Sequence, residues 1–294
     1  MAIVSAAIAP HGDLLVPELC APRDVAMGAD LRAAMERLAA RCAATHPEVV
    51  VVVTPHGLHL EGRFAVVTAG RLAGSVGDDQ ATASGEAREP GGRIDLAVLT
   101  DRHLAAAILA ALRTAGLPAS GVSFGGNVPE EAVMPLDWGA LIPLWFLGGR
   151  HDPPLQAVVV APARDLPLDQ HVRAGAAIAR AAAASGRRVL FVASADQAHA
   201  HRRDGPYGFD PAAAHFDRLA VELVKADRLA ELLELGPELI AAAKPDSLWQ
   251  MVMLHGALAA GGLWRSELLA YDAPTYYGML VASYLPADRR ASGH

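Results

Sequence analysis

Three histidines each follow an apolar segment that has the composition of a buried β-strand. His11, His56 and His199 come after residues 2–9, 49–53 and 188–193, respectively. Neutral imidazole is the commonest side-chain metal ligand, and it also serves as a general acid or base near neutral pH. One loop histidine would carry little information, whereas three in the same strand context favour a metal site or an acid–base site.

The segment before His56 is a run of consecutive valines from Val49 to Val53. Such a run predicts a strand that is buried on both faces, as in the centre of a mainly parallel sheet. Pro55 ends the strand because proline cannot continue a central strand. His56 is therefore expected just past the carboxyl end of the strand, and open α/β sheets bind their ligands at that edge.

Strand segments of this kind alternate with helical patterns along the chain. The helices are expected at residues 24–44, 100–116, 168–185, 211–226, 228–243 and 245–262. Residues 70–93 are rich in Gly, Ser, Asp and Glu, which predicts an exposed loop or flap. The fold class predicted is α/β, with a central mainly parallel sheet flanked by helices and an antiparallel edge hairpin within residues 267–285. We expect residues 1–294 to form a single domain.

Composition narrows the functional classes. The chain is 52% hydrophobic and 19% charged, so it can bury a substantial core and is not disordered. Its formal net charge of −7 argues against a nucleic-acid-binding surface and suits a small-molecule substrate. No apolar run approaches the roughly 20 residues of a membrane span. Cys20 and Cys42 form no CxxC motif, and the N-terminus lacks signal-peptide features, so a cytoplasmic location is expected.

The order of these motifs resembles a known family. His11 after the first strand, His56 after the second and Ser194-x-Asp196-x-x-His199 after a later one are similar to the class III extradiol ring-cleaving dioxygenases. The branch most similar is the catalytic B-type subunit of protocatechuate 4,5-dioxygenase, and the Memo proteins share the fold. The resemblance extends from His11 to about Gly256.

The resemblance implies an Fe(II) site, with Zn or Mn as alternative metals. Such enzymes hold Fe(II) with two histidines and a carboxylate and leave positions open for a catechol and O₂. The resemblance implies that His11 and His56 are the two imidazole ligands. It also implies that His199 acts as base and then acid during ring opening. The partners it implies are a small aromatic diol, O₂, further copies of the chain and a small separate subunit. From composition we expect no nucleic-acid or membrane partner.

The third ligand has two candidates. The resemblance implies a carboxylate at the start of a late helix before Gly256-Ala257, and Asp246 is the only acid in that segment. The family spacing instead indicates the next position, Ser247, and one residue on a helix turns a side chain by about 100°. Asp246 also follows a proline at a helix start, where an acid caps a helix well.

One residue departs from the family pattern. Relatives carry Asp-His-Gly where this chain has Asp137-Trp138-Gly139, and the histidine there lies in the substrate pocket. An indole donates one hydrogen bond but exchanges no proton near neutral pH. Either the chemistry runs on one histidine, or the substrate differs, or ring cleavage has been lost. If the protein is an active dioxygenase, Trp138 is expected to line the substrate pocket and to act by shape.

Three functions compete. The first is an extradiol dioxygenase. The second is a Memo-like protein that binds a metal or a partner without ring cleavage, which the tryptophan at position 138 favours. The third is a zinc hydrolase that uses a metal-bound water. Only the residue types of the candidate ligands support it.

Overall fold

A computed structural model describes residues 3–77 and 92–287. The strands are β1 (Ile3–Ala9), β2 (Val49–Val53), β3 (Phe64–Val67), β4 (Arg71–Val76), β5 (Ile94–Leu99), β6 (Ala119–Val122), β7 (Val133–Pro135), β8 (Gln156–Ala161), β9 (Val189–Ser194), β10 (Trp264–Asp272) and β11 (Met279–Pro286). The α-helices are α1 (Ala29–Ala43), α2 (Arg102–Thr114), α3 (Trp138–Leu144), α4 (Leu168–Ser185), α5 (Pro211–Lys225), α6 (Pro237–Ala243) and α7 (Leu248–Gly261).

The large sheet has the strand order β10-β11-β1-β9-β2-β8-β3-β6. Strands β1, β9, β2 and β8 run parallel to one another, so the valine-rich β2 lies in the centre of the parallel part. Strands β10 and β11 form an antiparallel hairpin at one edge. The predicted fold class is confirmed, including the edge hairpin.

Helices cover both faces of this sheet. Val49, Val51 and Val53 pack in the core that α2, α4, α5 and α7 complete on one face. Val50 and Val52 pack in the second core, which includes α1 and α3. The valines of β2 are buried on both faces because successive side chains of a strand point to opposite sides.

A second, smaller sheet has the order β5-β4-β7. The expectation of a loop over residues 70–93 is wrong at its start, since Arg71–Val76 is a strand. Residues 78–91 of that expected loop lie outside the described residues. The β5 strand alternates buried and exposed residues, which is the pattern of a sheet with one face packed on the core.

Two helix boundaries also differ from expectation. The first helix begins at Ala29, because residues 22–28 form turns. The helix expected over residues 228–243 is divided into a 3₁₀ segment, Leu229–Glu234, and α6. Pro237 begins the second piece, since proline is favoured in the first turn of a helix and disfavoured in its interior. No helix in residues 3–77 and 92–287 combines the length and apolar composition that a membrane span requires.

Candidate metal centre at the carboxyl edge of the sheet

Parallel strand pairing brings two of the three histidines together. His11 is the second residue after β1, and His56 is the third residue after β2. Both strands run parallel to β9, which lies between them, so their carboxyl ends meet at one edge of the sheet. The Nε2 atoms of His11 and His56 are 3.1 Å apart.

Asp246 completes this cluster from the segment that precedes α7. Its Oδ2 atom lies 2.8 Å from His56 Nε2 and 3.5 Å from His11 Nε2. The ligand atoms of the three residues all lie within 4.8 Å of one another. Asp246 Oδ2 is buried and accepts no hydrogen bond from any residue that the structure describes.

The donor set fits a divalent metal ion. Metal–nitrogen bonds of about 2.0–2.1 Å at a right angle place two nitrogens about 3 Å apart, which is close to the observed separation. Burial lowers the pKa of His11, and burial followed by the charge of His11 lowers the pKa of His56 to about 4. Both imidazoles are therefore neutral near pH 7, as metal ligands must be.

A hydrogen-bond chain fixes the tautomer of His11. The Ser194 hydroxyl donates to the carbonyl oxygen of Gly139, which can only accept. His11 Nδ1 lies 2.9 Å from Ser194 Oγ and must therefore be the donor in that contact. His11 Nε2 then keeps its lone pair and faces the cluster. An outer hydrogen bond of this kind is typical of a metal-binding histidine.

Asp196 supports His11 from the motif that the sequence singled out. Its Oδ1 atom accepts a hydrogen bond from the backbone N–H of His11 at 3.0 Å. Its Oδ2 atom lies 3.4 Å from His11 Nε2. Burial raises the pKa of this carboxyl group. The aspartate therefore holds the loop that carries His11.

Asp246 and Ser247, the two candidates for the third ligand, have different neighbours in the structure. Asp246 lies with the two histidines and does not cap α7. Ser247 is the residue before the first helical turn, and its buried hydroxyl has no hydrogen-bond partner among the described residues. The geometry therefore favours Asp246 as the third ligand.

Arg164 is a site residue that the sequence reasoning missed. It follows β8, and its guanidinium contacts Asp246 Oδ1 and stacks over the Trp249 ring at 4.8 Å. Burial lowers its pKa, and its charge contributes to lowering the pKa values of the nearby histidines. The sequence signal for Arg164 is its position after β8, which runs parallel to β2.

His199 lies within a group of aromatic rings. Its ring stacks on Tyr277 with centroids 5.4 Å apart and an interplanar angle of 20°. Tyr207 meets it edge-on at 5.6 Å, and Tyr276 lies 5.9 Å away. These three tyrosines were also missed, because their approach depends on how the hairpin and the loop before α5 pack together.

The chemistry available to His199 follows from the hydrogen bond that its ring makes. Nδ1 lies 2.9 Å from the carbonyl oxygen of Gln197 and must donate to it. Nε2 is then left with a lone pair that can accept a proton. Burial, followed by the charge of His11, lowers the pKa of His199 to about 3. The ring is therefore neutral near pH 7, the protonation state in which it can accept a proton.

Gly12 makes room for this aromatic group. Its φ of −66° is open to any residue, so backbone strain does not require glycine there. A Cβ atom at this position would lie 2.5 Å from the Tyr277 hydroxyl and 2.9 Å from Met279 Sδ. The glycine after His11 thus lets Tyr277 pack beside the metal cluster.

Trp138 lies at the rim of the cluster. It is the first residue of α3, where Asp137 caps the helix by accepting from Ala140 N–H. The Trp138 ring is 4.6 Å from the ring of His56, and 38% of the residue is exposed. An exposed indole beside a candidate ligand is available to contact a bound molecule.

Comparison with known proteins shows the family to which the chain belongs. Residues 5–282 match the family model of the catalytic LigB subunit of aromatic ring-opening dioxygenase. The protein CA_C1420 of Clostridium acetobutylicum is 22% identical over 264 residues, which cover 90% of this chain and 53% of that protein. The chain thus spans about half the length of this curated relative.

A solved structure shares the fold. The crystal structure of the uncharacterized protein JW3007 from Escherichia coli K12 superposes with a TM-score of 0.56 at 15% identity, covering 95% of this chain and 99% of that one. Since the family match spans nearly the whole of the described chain, the protein belongs to the family of catalytic LigB subunits of aromatic ring-opening dioxygenases.

Proposed function

We propose that the protein is a non-haem Fe(II)-dependent extradiol dioxygenase that opens a catechol-like aromatic ring with O₂. The main support is the convergence of His11 Nε2, His56 Nε2 and Asp246 Oδ2 within 4.8 Å. Two histidines and one carboxylate form the facial triad of non-haem Fe(II) oxygenases, which leaves coordination positions open. Fe(II), when bound, would supply the redox chemistry that lets O₂ react with a catecholate.

The surrounding residues would orient the substrate and move its protons. His199 Nε2 is unprotonated and would take a proton from a catechol hydroxyl, because its other nitrogen is committed to the Gln197 carbonyl. The same group would return a proton when the ring opens. Trp138 beside His56 and Tyr277 beside His199 present aromatic surfaces to a planar substrate.

Anaerobic reconstitution tests this function. The purified protein is loaded with Fe(II) without oxygen, mixed with a panel of catechols and then exposed to O₂. We expect a ring-opened product from the parent and from a Ser247→Ala variant. His11→Ala, His56→Ala and Asp246→Ala should lose the product together with the bound metal, measured by elemental analysis. Full metal occupancy in either histidine variant would refute the site.

A second function is favoured by one observation. Trp138 occupies the position at which the class III extradiol dioxygenases that this chain resembles carry a histidine of the substrate pocket. An indole exchanges no proton near neutral pH. A Memo-like protein would bind a metal or a partner at the same site without ring cleavage. Metal binding through His11 and His56 without turnover of any catechol in the panel would support this second function.

A further inference from the structure

The carboxylate of Asp217 is buried in the protein core yet has no role in the proposed chemistry. It projects from α5 and is 1% exposed. Oδ1 accepts a hydrogen bond from Ala198 N–H at 2.9 Å. Oδ2 lies 2.8 Å from His201 Nε2 and accepts a hydrogen bond from the Tyr271 hydroxyl at 2.7 Å. A buried carboxylate with three donors is a strong local constraint.

Two of those donors lie on either side of His199. Ala198 precedes His199 and His201 follows it by two residues, in the segment between β9 and α5. This segment belongs to no helix or extended strand, so its position depends on individual hydrogen bonds. Asp217 therefore holds both flanks of the residue that we assign to proton transfer.

The hairpin that carries the stacking tyrosine is fixed by the same carboxylate. Tyr271 lies in β10, and Gly278 follows Tyr277 and immediately precedes β11. A Cβ atom at Gly278 would lie 2.0 Å from Asp217 Oδ2, so glycine is required for this close approach. The backbone of Gly278 also bonds to the His199 segment, with Gln197 N–H donating at 2.7 Å and Ala198 O accepting at 3.0 Å.

One carbonyl group connects this arrangement to the metal cluster. The carbonyl oxygen of Gln197 accepts from His199 Nδ1 at 2.9 Å and from the backbone N–H of Asp246 at 3.2 Å. A shift of the segment would therefore move the proton-transfer residue relative to the candidate ligand.

We propose that Asp217 is a positioning residue for His199. It fixes the segment 198–201 against the β10–β11 hairpin and so keeps the His199 ring stacked on Tyr277. The catalytic role of His199 rests on the proposed function, whereas the position of its ring can be measured without turnover. A displacement of about 1 Å at a catalytic group can cost about 10²-fold in rate.

The test compares Asp217→Ala and Asp217→Asn with Asp101→Ala. Asp101 is a matched control, because it is also buried and hydrogen-bonded, but it caps α2 beside the first residues of β8, away from the metal cluster. The first measurement is kcat per bound iron. We expect Asp217→Ala to lower kcat by about 10–10²-fold with little change in KM, because a misplaced base weakens only the transition state. Asp101→Ala should leave kcat unchanged.

The second measurement is the NMR signal of the His199 ring in the Zn(II)-loaded protein, assigned by its absence in His199→Ala. We expect the signal to move in Asp217→Ala, because the ring leaves the face of Tyr277, and to stay in place in Asp101→Ala. Asp217→Asn keeps an oxygen for Ala198 N–H and should give an intermediate shift. It also serves as the test variant if Asp217→Ala does not fold.

The two measurements separate two kinds of failure. An unmoved His199 signal in both Asp217 variants would overturn the positioning role, whatever the activity. If the parent protein opens no ring but the signal moves as expected, the proposed function fails and the positioning role stands.

Discussion

Replacing Ser194 with alanine should weaken metal binding without a direct change to any ligand. The buried hydroxyl of Ser194 accepts from His11 Nδ1 at 2.9 Å and donates to Gly139 O. Without it, His11 is free to hold its proton on Nε2, which would turn the ligand atom into a donor. Loss of such an outer hydrogen bond typically costs about 10–100-fold in metal affinity, or about 1.4–2.7 kcal/mol.

The same substitution should also lower stability. It leaves two buried polar groups without a partner, and each such group costs about 1–3 kcal/mol. Ser5→Ala is the matched control, because Ser5 is a fully buried serine of β1 whose hydroxyl lies 2.9 Å from Thr45 Oγ1. Thr45 keeps its own bond to the Cys42 carbonyl, so the control should cost only about 1 kcal/mol.

Isothermal titration of the metal-free proteins with Zn(II) measures the affinities, and urea unfolding measures the stabilities. We expect Ser194→Ala to bind Zn(II) about 10–100-fold more weakly than Ser5→Ala. Equal affinities in the two variants would refute the argument that Ser194 sets the tautomer of His11.

Substitutions at three further positions give separate tests. Arg164→Ala should weaken Zn(II) binding by about 10–100-fold, because the guanidinium holds Asp246 Oδ1 while Oδ2 faces the histidines. His171→Asn should remove a pH dependence of the free energy of unfolding. Burial lowers the pKa of this fully buried histidine, so below about pH 6.5 the unfolded chain binds a proton that the folded chain does not. The residue then lowers stability by up to about 1.4 kcal/mol per pH unit as pH falls. Trp138→His should raise ring-cleaving activity on small catechols, whereas Trp138→Ala should raise KM more than it lowers kcat.

Each of these tests has a clear contrary result. Tighter Zn(II) binding by Arg164→Ala would show that charge repulsion outweighs orientation of the carboxylate. Equal slopes of unfolding free energy between pH 7 and pH 5, measured in urea for the parent and His171→Asn, would contradict the buried neutral imidazole. Indistinguishable product yields from the three proteins with Trp, Ala and His at position 138, at equal iron loading, would place Trp138 outside the substrate pocket.

The sequence predicted the large sheet because its strands have distinct local patterns. The valine run of β2 ends at a proline, and the segments before His11 and Ser194 are equally apolar. The small sheet was missed because Arg71–Val76 contains Gly74 and Ser75, which favour a loop when read locally. The strand β4 is stabilised by pairing with β5 and β7, and the composition of the segment does not show such pairing.

The site residues that follow core strands could be predicted from the sequence, whereas those brought in by tertiary packing could not. His11, His56 and His199 were indicated by their positions after core strands. The approach of Asp246 to the histidines follows from the tertiary position of the segment before α7, so its sequence spacing left Ser247 open. Arg164 was indicated only by its position after β8, because its contact with Asp246 joins residues far apart in the chain.

Oxygen consumption, measured together with product, tests the central claim most directly. The claim is that His11, His56 and Asp246 hold a metal that supports ring opening by O₂. An oxygen electrode is used to follow the Fe(II)-loaded protein and its His56→Ala variant after addition of a catechol from the panel. We expect the parent to consume O₂ in equimolar amount with the ring-opened product, and the variant to consume none above free Fe(II). Equal consumption by both proteins, or consumption by the parent that yields a quinone without ring opening, would contradict the claim.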